Sequence, residues 1–469
     1  MSKVLVGLAS IPERVGSLER VVRSLAPQCD RLAVSLNEYE TVPAFLAEYP
    51  NVEATIRRAP NRGDAEKFAA VADWDGVVLT CDDDILYPAD YVENMLAALE
   101  RWPGCAVSHH AGTTYGWNGQ YAAASHKRIR CLMYQPEDDP DVNVLGTGTL
   151  GFHTRDVAVW PEVFRSPNMA DLWFALHGQQ LGIRMVALSH HAGWLADICP
   201  PVGSGRRIYD SNRNRDGSAC DTTEWRERVA KSSDWLVGRP RPHVHVSVAT
   251  CRRPELLLEL LGDLEREAQW MDVSVAVFQD GPEGDYAEAR AFCDDRGWEW
   301  HTSGRNLGRR RHYELIQAEF DVAKQTDSEW FVFMPDDVRL VRHAIPKALV
   351  TWHRLEDPAT LTLWRLQSLE GKTNWTGVPA VQRECATETF HVDGFYLCQR
   401  STLELLGWRV GRVVPQGVTG SGVGSKLSKR LHFAGARMYR VDSSLAVSND
   451  RGVSEMNPSE RELHPAVAL

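Results

Sequence analysis

Two apolar runs about 250 residues apart each end in carboxylates, and this repeat constrains the fold of the 469-residue chain more than any other feature. Gly76-Val-Val-Leu-Thr-Cys runs into Asp82-Asp83-Asp84, and Trp330-Phe-Val-Phe-Met runs into Pro335-Asp336-Asp337. Runs of this length with no polar alternation are strands buried on both faces. Acids placed where such strands end sit at the edge where ligands bind in open α/β sheets.

The residues around each run keep one order. The first half reads as a strand at Val4 to Ala9, an amphipathic helix near Gly16 to Leu25 and a strand at Arg31 to Leu36. A helix near Val42 to Glu48, a strand at Val52 to Ile56, a loop with Asn61, Gly63 and Asp64, and a helix from Ala65 to Ala72 follow. The second half repeats this, with a strand at His243 to Thr250, a helix from Pro254 to Glu267 and a strand at Val273 to Phe278 ending at Gln279-Asp280-Gly281. Asn306-Leu-Gly308 then opens a further helix. Strands alternating with helices predict mostly parallel sheets covered on both faces. The stretch from Pro200 to Pro242 is rich in Gly, Pro, Arg, Ser and Asp, and its end, Gly238 to Pro242, reads as the linker between two copies of one fold.

Composition narrows the class. Hydrophobic content of 43% with 25% charged residues is that of a globular protein. The 52 Lys and Arg against 63 Asp and Glu give a net charge of −11, so bulk binding to nucleic acid is not expected. No apolar stretch approaches the ~20 residues that span a bilayer. VLVGLA near the start is too short for a secretory signal. The ten cysteines form no C-x-x-C pair, which fits reduced thiols in a cytoplasm.

Three consecutive carboxylates repel one another unless something positive compensates them. A divalent cation does so, since hard ions such as Mg²⁺ or Mn²⁺ take carboxylate and phosphate oxygens together. The other reading is an acidic helix N-terminus beginning at Asp84. Placement directly after a buried strand favours the cation.

The stretch CDDDILYPADYVENML, with ASIPERVGSLERVVRSL, APNRGDAEKF, VNVLGTGTLGFHT and NMADLWFALHGQQLGI in the same order, resembles the family 2-like GT-A glycosyltransferases. The resemblance extends to bacterial and phage-encoded members. It implies an α/β architecture of two tandem GT-A (Rossmann-like nucleotide-diphospho-sugar transferase) domains, residues 1–238 and 243–469, each a mostly parallel sheet flanked by helices. It further implies transfer of a sugar from a nucleotide-diphosphate donor to a glycan, protein or modified-nucleobase hydroxyl, with Mn²⁺ or Mg²⁺ as cofactor. Carried over by position, Ser10, Pro12, Arg14 and Asn37 line the nucleotide site, and Asp64 and Lys67 face ribose or diphosphate. Asp82 and Asp83 meet the sugar nucleotide, Asp82 and Asp84 hold the metal, and His191 is a further ligand. Asp171 is the general base. One base and no second nucleophile imply inversion. Asp171 has a plain alternative as a first-turn helix acid, and His191 as a surface or packed histidine.

In the second half, VATCRRPELL, QDGPEGDY, NLGRRRHYEL and FMPDDVRL resemble the same superfamily. By position Thr250, Arg252, Asp280, Asn306, Arg309 and Asp336 are the nucleotide-binding set and Asp337 the metal ligand. The helix near Gly424 to Leu431 lacks a carboxylate where a base is expected, which leaves Asp393 as the candidate base there, or a unit that only binds. Two other function classes stand beside transfer. A sugar-1-phosphate nucleotidyltransferase shares the fold but opens with a Gly-rich basic loop, which Ala-Ser-Ile-Pro-Glu-Arg does not supply. A non-catalytic carbohydrate-binding protein built from transferase folds is the other. Gly146 to Gly151 fits G-x-G-x-x-G, yet no helix pattern opens there, so a dehydrogenase is disfavoured.

Overall fold

The computed structural model describes residues 3–114, 126–129, 138–199, 234–282, 284–364, 380–392, 394–411 and 422–449. The chain divides into two compact units, Met1–Pro240 and Arg241–Leu469. Among the described residues no helix is long and apolar enough to cross a membrane.

The strands of the first unit are β1 (Val4–Ser10), β2 (Arg31–Asn37), β3 (Val52–Arg57), β4 (Val77–Asp82), β5 (Ile85–Leu86), β6 (Ala106–Ser108), β7 (Ala111–Thr114), β8 (His126–Ile129), β9 (Asp141–Val142), β10 (Val144–Leu145), β11 (Thr149–His153), β12 (Met185–Ala187) and β13 (Ala196–Asp197). Eight of them form one sheet in the order β3-β2-β1-β4-β11-β6-β12-β9. β1 to β4 run parallel, β11 is antiparallel to both its neighbours, and β12 returns parallel to β6. β1 is VLVGLAS, buried along nearly its whole length, as a central parallel strand must be. Helix α1 (Val15–Leu25) buries Leu18, Val21, Val22 and Leu25, one helical face, against this sheet.

The second unit contains β14 (His243–Thr250), β15 (Asp272–Gln279), β16 (Glu299–Thr302), β17 (Trp330–Pro335), β18 (Val338–Leu340), β19 (Pro358–Thr362), β20 (Val381–Gln382), β21 (Ala386–Thr389), β22 (Tyr396–Gln399), β23 (Arg437–Val441) and β24 (Ala446–Ser448). Its large sheet has the order β16-β15-β14-β17-β22-β19-β23-β21-β20. Its first eight strands repeat the first sheet position for position, with β22, like β11, antiparallel to both neighbours and β23 parallel to β19, and β20 adds a ninth strand at the edge. The small β5–β13 ladder also has its counterpart in β18–β24. The repeat extends to register: Ala9 of β1 pairs with Asp82, and Ala249 of β14 pairs with Pro335. Pro335 therefore stands where Asp82 stands, and Asp336 and Asp337 match Asp83 and Asp84.

Three local expectations are corrected. The segments near Val42–Glu48 and Ala65–Ala72 are not α-helices but short 3₁₀ turns, Ala44–Glu48 and Gly63–Phe68. The second lies flat on β1: a Cβ on Gly7 would sit 2.0 Å from the Lys67 carbonyl oxygen. A glycine in the strand lets the turn approach that closely. Finally, Asp84 opens no helix, because the two-residue β5 follows it and the next helix, α2 (Tyr91–Arg101), begins seven residues on.

Candidate functional site

The acids lie on the turn that leaves β4, the central strand of the first unit. Asp82 is the last residue of that strand, and Asp83 and Asp84 form the turn into β5. Arg14 reaches them from the far side. It ends the 3₁₀ turn Pro12–Arg14, which Pro12 initiates, and its Nη1 donates to Asp83 Oδ1 at 2.7 Å and to Asp84 Oδ2 at 2.9 Å. Burial pushes the Asp83 carboxyl up to about 6 while Arg14 pulls it down. Burial and the neighbouring Asp82 raise Asp84 as well. Ser10, at the end of β1, shares a hydrogen bond of 3.1 Å with the Tyr39 hydroxyl, which donates to the Ile11 carbonyl.

A second group of charges surrounds Lys67. Its ammonium donates to Asp82 Oδ1 and, at 3.2 Å, to the Thr147 hydroxyl oxygen. The Thr147 hydroxyl and main-chain N–H both donate to Asp171 Oδ1, each at 2.7 Å. Asp64 lies beside them and accepts from the Ala170 N–H at 3.3 Å. Burial lifts the Asp64 carboxyl to about 6, against the pull of Lys67. Burial also opposes the charge on Asp82, but Lys67 outweighs it and holds that carboxyl below its ordinary value. Asp64, Lys67, Asp82 and Asp171, from three separate stretches of sequence, thus meet in one network. Asp171 is also the first-turn acid of α3 (Ala170–Leu181), the placement its plain alternative describes.

Other expected residues stand further out. Asn37 donates from Nδ2 to the Gly63 carbonyl, while its buried Oδ1 has no hydrogen-bond partner among the described residues. Past the end of β3, a cavity of 470 Å³ is lined by Ile56, Arg57, Arg58, Pro60, Asn61 and Glu66. His191 is exposed, with its ring 6.5 Å from that of Trp194, and among the described residues it forms no contact with Asp82 or Asp84. It begins the segment that returns to the acids, where the Ile198 N–H donates to the Asp84 carbonyl at 2.9 Å. Among the described residues no three or more His, Cys, Asp or Glu groups are gathered as a metal site.

The second unit rebuilds half of this arrangement. Arg253 pairs with both Asp336 and Asp337 as Arg14 does with Asp83 and Asp84. Thr250, at the end of β14, donates to Asp336 Oδ2 at 2.6 Å and shares a bond of 2.9 Å with the Tyr286 hydroxyl, as Ser10 does with Tyr39. Burial raises the Asp336 carboxyl to about 7. Asp280 accepts from the Leu307 N–H at 2.6 Å, and Asn306 approaches Cys251 at 3.8 Å. Among the described residues the network around Lys67 has no such counterpart. Pro335 replaces Asp82, and Gly424 is the second residue of its helix, Val423–Phe433, as Asp171 is of α3. A Cβ on Gly424 would sit 2.3 Å from the Val392 carbonyl oxygen. Asp393 and the side chain of Arg309 lie outside the described residues.

Sequence reasoning missed four participants. Arg252 is exposed with φ of 54°, and its neighbour Arg253 makes the ion pairs. Tyr87 donates to the Gly148 carbonyl at 2.6 Å and accepts from the Asp82 N–H at 2.8 Å. Tyr39 and Thr147 complete the set, and no local pattern marks any of the four.

No protein-family model matches this chain, and no curated protein does. Among solved structures, residues 1–349 of S. aureus TarS align over 44% of this chain and 60% of their own length, with TM-score 0.32 and 12% identity. The same fragment in complex with UDP gives 44%, 59%, 0.33 and 14%. The mannosyltransferase PcManGT from Pyrobaculum calidifontis, in complex with GDP-Man and Mn²⁺, gives 44%, 55%, 0.30 and 15%. This chain spans less than two thirds of the length of each. Its α/β architecture, two sheets mostly parallel and flanked by helices, is established by the strand order and directions above.

Proposed function

We propose that the chain is a glycosyltransferase, and that its first unit moves a sugar from a nucleotide-diphosphate donor to an acceptor hydroxyl. The observation that carries this reading is the meeting of Asp82 and Asp171 through Lys67 and Thr147 at the carboxyl edge of the sheet. Carboxylates for a donor-side cation and for an acceptor-side base are what such a transfer needs in one place.

The donor-side carboxylates suit a divalent ion. The Asp82 and Asp84 side chains keep 37% and 21% of their surface open, whereas that of Asp83 keeps 4%. Two hard, mutually repelling oxygen donors at an open edge favour Mn²⁺ or Mg²⁺. Asp82 and Asp84 would hold the ion, with His191 as a further ligand from the exposed segment that returns to Asp84. Its charge would stabilise the departing diphosphate.

The chain's own groups do the rest. Arg14 holds Asp83 and Asp84 against their mutual repulsion. Ser10, Pro12 and Asn37 border the nucleotide, and Arg57 and Arg58 give the neighbouring cavity a cationic wall. Asp64 and Lys67 face ribose or diphosphate. Asp171 takes the proton of the acceptor hydroxyl as its oxygen bonds to the anomeric carbon. The bond from that carbon to the diphosphate breaks, and its electron pair leaves with the phosphate oxygen. A single base acting from the acceptor side gives inversion.

In the second unit, Thr250, Asp280, Asn306 and Asp336, with Arg252 and Arg309, are the corresponding nucleotide set, and Asp337 the metal ligand. Gly424 removes the helix carboxylate there, so transfer is assigned to the first unit. The test is release of nucleoside diphosphate from a panel of nucleotide sugars with Mn²⁺. Release should be lost in Asp84→Ala and kept in Asp337→Ala. Full activity in Asp84→Ala would reject the assignment of the site.

A further inference from the structure

Thr147 lies in the turn before β11, is 1% exposed, and uses every polar group it has. Its carbonyl accepts from the Thr80 hydroxyl at 2.6 Å. Its main-chain N–H donates to Asp171 Oδ1. Its hydroxyl stands between the Lys67 ammonium and that same Oδ1. An ammonium can only donate and a carboxylate can only accept, so the direction of the hydroxyl proton is forced towards Asp171.

The turn itself has little freedom. A Cβ on Gly146 would meet His110 Cβ at 2.8 Å, and one on Gly148 would meet Asp82 Oδ2 at 2.2 Å. Thr147 is thus clamped between two close approaches, and two donors fix one oxygen of Asp171. None of the hydrogen bonds formed among the described residues uses Asp171 Oδ2.

We propose that Thr147 is the positioning residue for Asp171, saturating Oδ1 so that Oδ2 alone is presented to the acceptor hydroxyl, and coupling that orientation through Lys67 to Asp82 on the donor side. This rests on the reading of Asp171 as base. The matching helix position in the second unit is Gly424, so among the described residues only the first unit has this device.

The test uses the full chain and a nucleotide sugar that the wild type turns over with Mn²⁺. Thr147→Val removes the hydroxyl and keeps the N–H bond and the side-chain shape, and Thr147→Ser restores the hydroxyl. In Thr147→Val, kcat should fall on the order of 10-fold, since a misoriented base forfeits part of the ~10²–10⁴ that general-base catalysis supplies. The donor KM should stay within about twofold, and Thr147→Ser should recover kcat to within about threefold of wild type. If Thr147→Val does not fold, Thr147→Ala carries the same comparison. Wild-type kcat in the variant lacking the hydroxyl, a donor KM that rises in step with the loss, or a Ser variant as impaired as the Val variant would each overturn the proposal. Asp171→Asn is measured alongside. If it is inactive while Thr147→Val is normal, only the positioning role falls. If it is fully active, the base assignment falls and the positioning role with it.

Discussion

Lys67 and Asp82 form an ion pair in which the ammonium-bearing side chain is 2% exposed and the carboxylate-bearing one 37%. The asymmetry matters. Asp82 can be rehydrated when the pair is broken, whereas Lys67 has no route to water and depends on its carboxylates.

Lys67→Met should therefore destabilise the first unit by about 3 kcal/mol, the lower end for a broken buried pair, because Asp82 regains solvent. The variant should also weaken binding of a nucleoside diphosphate with Mn²⁺, since Asp82 loses the partner that keeps it charged. Urea unfolding read by tryptophan fluorescence and calorimetric titration check the two parts. A change below about 0.5 kcal/mol would mean the pair is no more than a surface contact.

Gly148→Ala probes the same carboxylate without touching a charge. The new Cβ would fall 2.2 Å from Asp82 Oδ2 and 2.8 Å from its Cγ, so the carboxylate or the turn must move. Affinity for Mn²⁺ with a nucleoside diphosphate should drop about 10-fold or more, as for a displaced ligand. Unchanged affinity by calorimetry would separate Asp82 from the cation.

Glu319 gives a pH signature for the second unit. It is 1% exposed, its Oε1 has no hydrogen-bond partner among the described residues, and burial alone raises its carboxyl to about 8. An acid whose folded pKa lies above its unfolded value contributes stability that is full below the unfolded value and lost as pH rises through the folded one. Wild type should lose stability between about pH 5 and 8, by ~1.4 kcal/mol for each pKa unit separating the two states. Glu319→Gln should lose less over that window, because only the other buried acids, such as Asp336, then contribute to the slope. Denaturant midpoints at pH 5, 6.5 and 8 decide, and parallel profiles for the two proteins would refute the prediction.

Arg253 and Arg252 are neighbours with different work. Arg253→Ala strips the cation from Asp336, which is 0% exposed and keeps the neutral Thr250 donor, and should destabilise the second unit by about 3 kcal/mol. Arg252→Ala should cost under about 1 kcal/mol, because that side chain is exposed. Thermal unfolding of both variants tests the order, and equal losses would contradict it.

The strands were legible because their burial leaves a one-dimensional mark: continuous apolar runs such as Val77 to Leu79 and Trp330 to Met334 can be little else. The same holds for acids at strand ends. What could not be read is what depends on depth and on approach from elsewhere in the chain. Gly63–Phe68 has the composition of a helix, yet Gly7 lets it flatten onto β1 as a 3₁₀ turn. Thr147 is one threonine among many until the fold brings Asp171 and Lys67 to it. The choice between Arg252 and Arg253 turns on a left-handed backbone at the first, which no pattern of side chains announces. The replacement of Asp82 by Pro335 emerges only from register, since both runs end in adjacent acids.

The central claim is that Asp171 takes the acceptor proton while the acids after β4 serve the donor. Asp171→Asn compared with wild type addresses it most directly, by calorimetric binding of a nucleoside diphosphate with Mn²⁺ and by transfer rate on the same preparation. Donor-side affinity should stay within about threefold of wild type, and the transfer rate should fall by ~10² or more. A variant that binds and transfers like the wild type would contradict it.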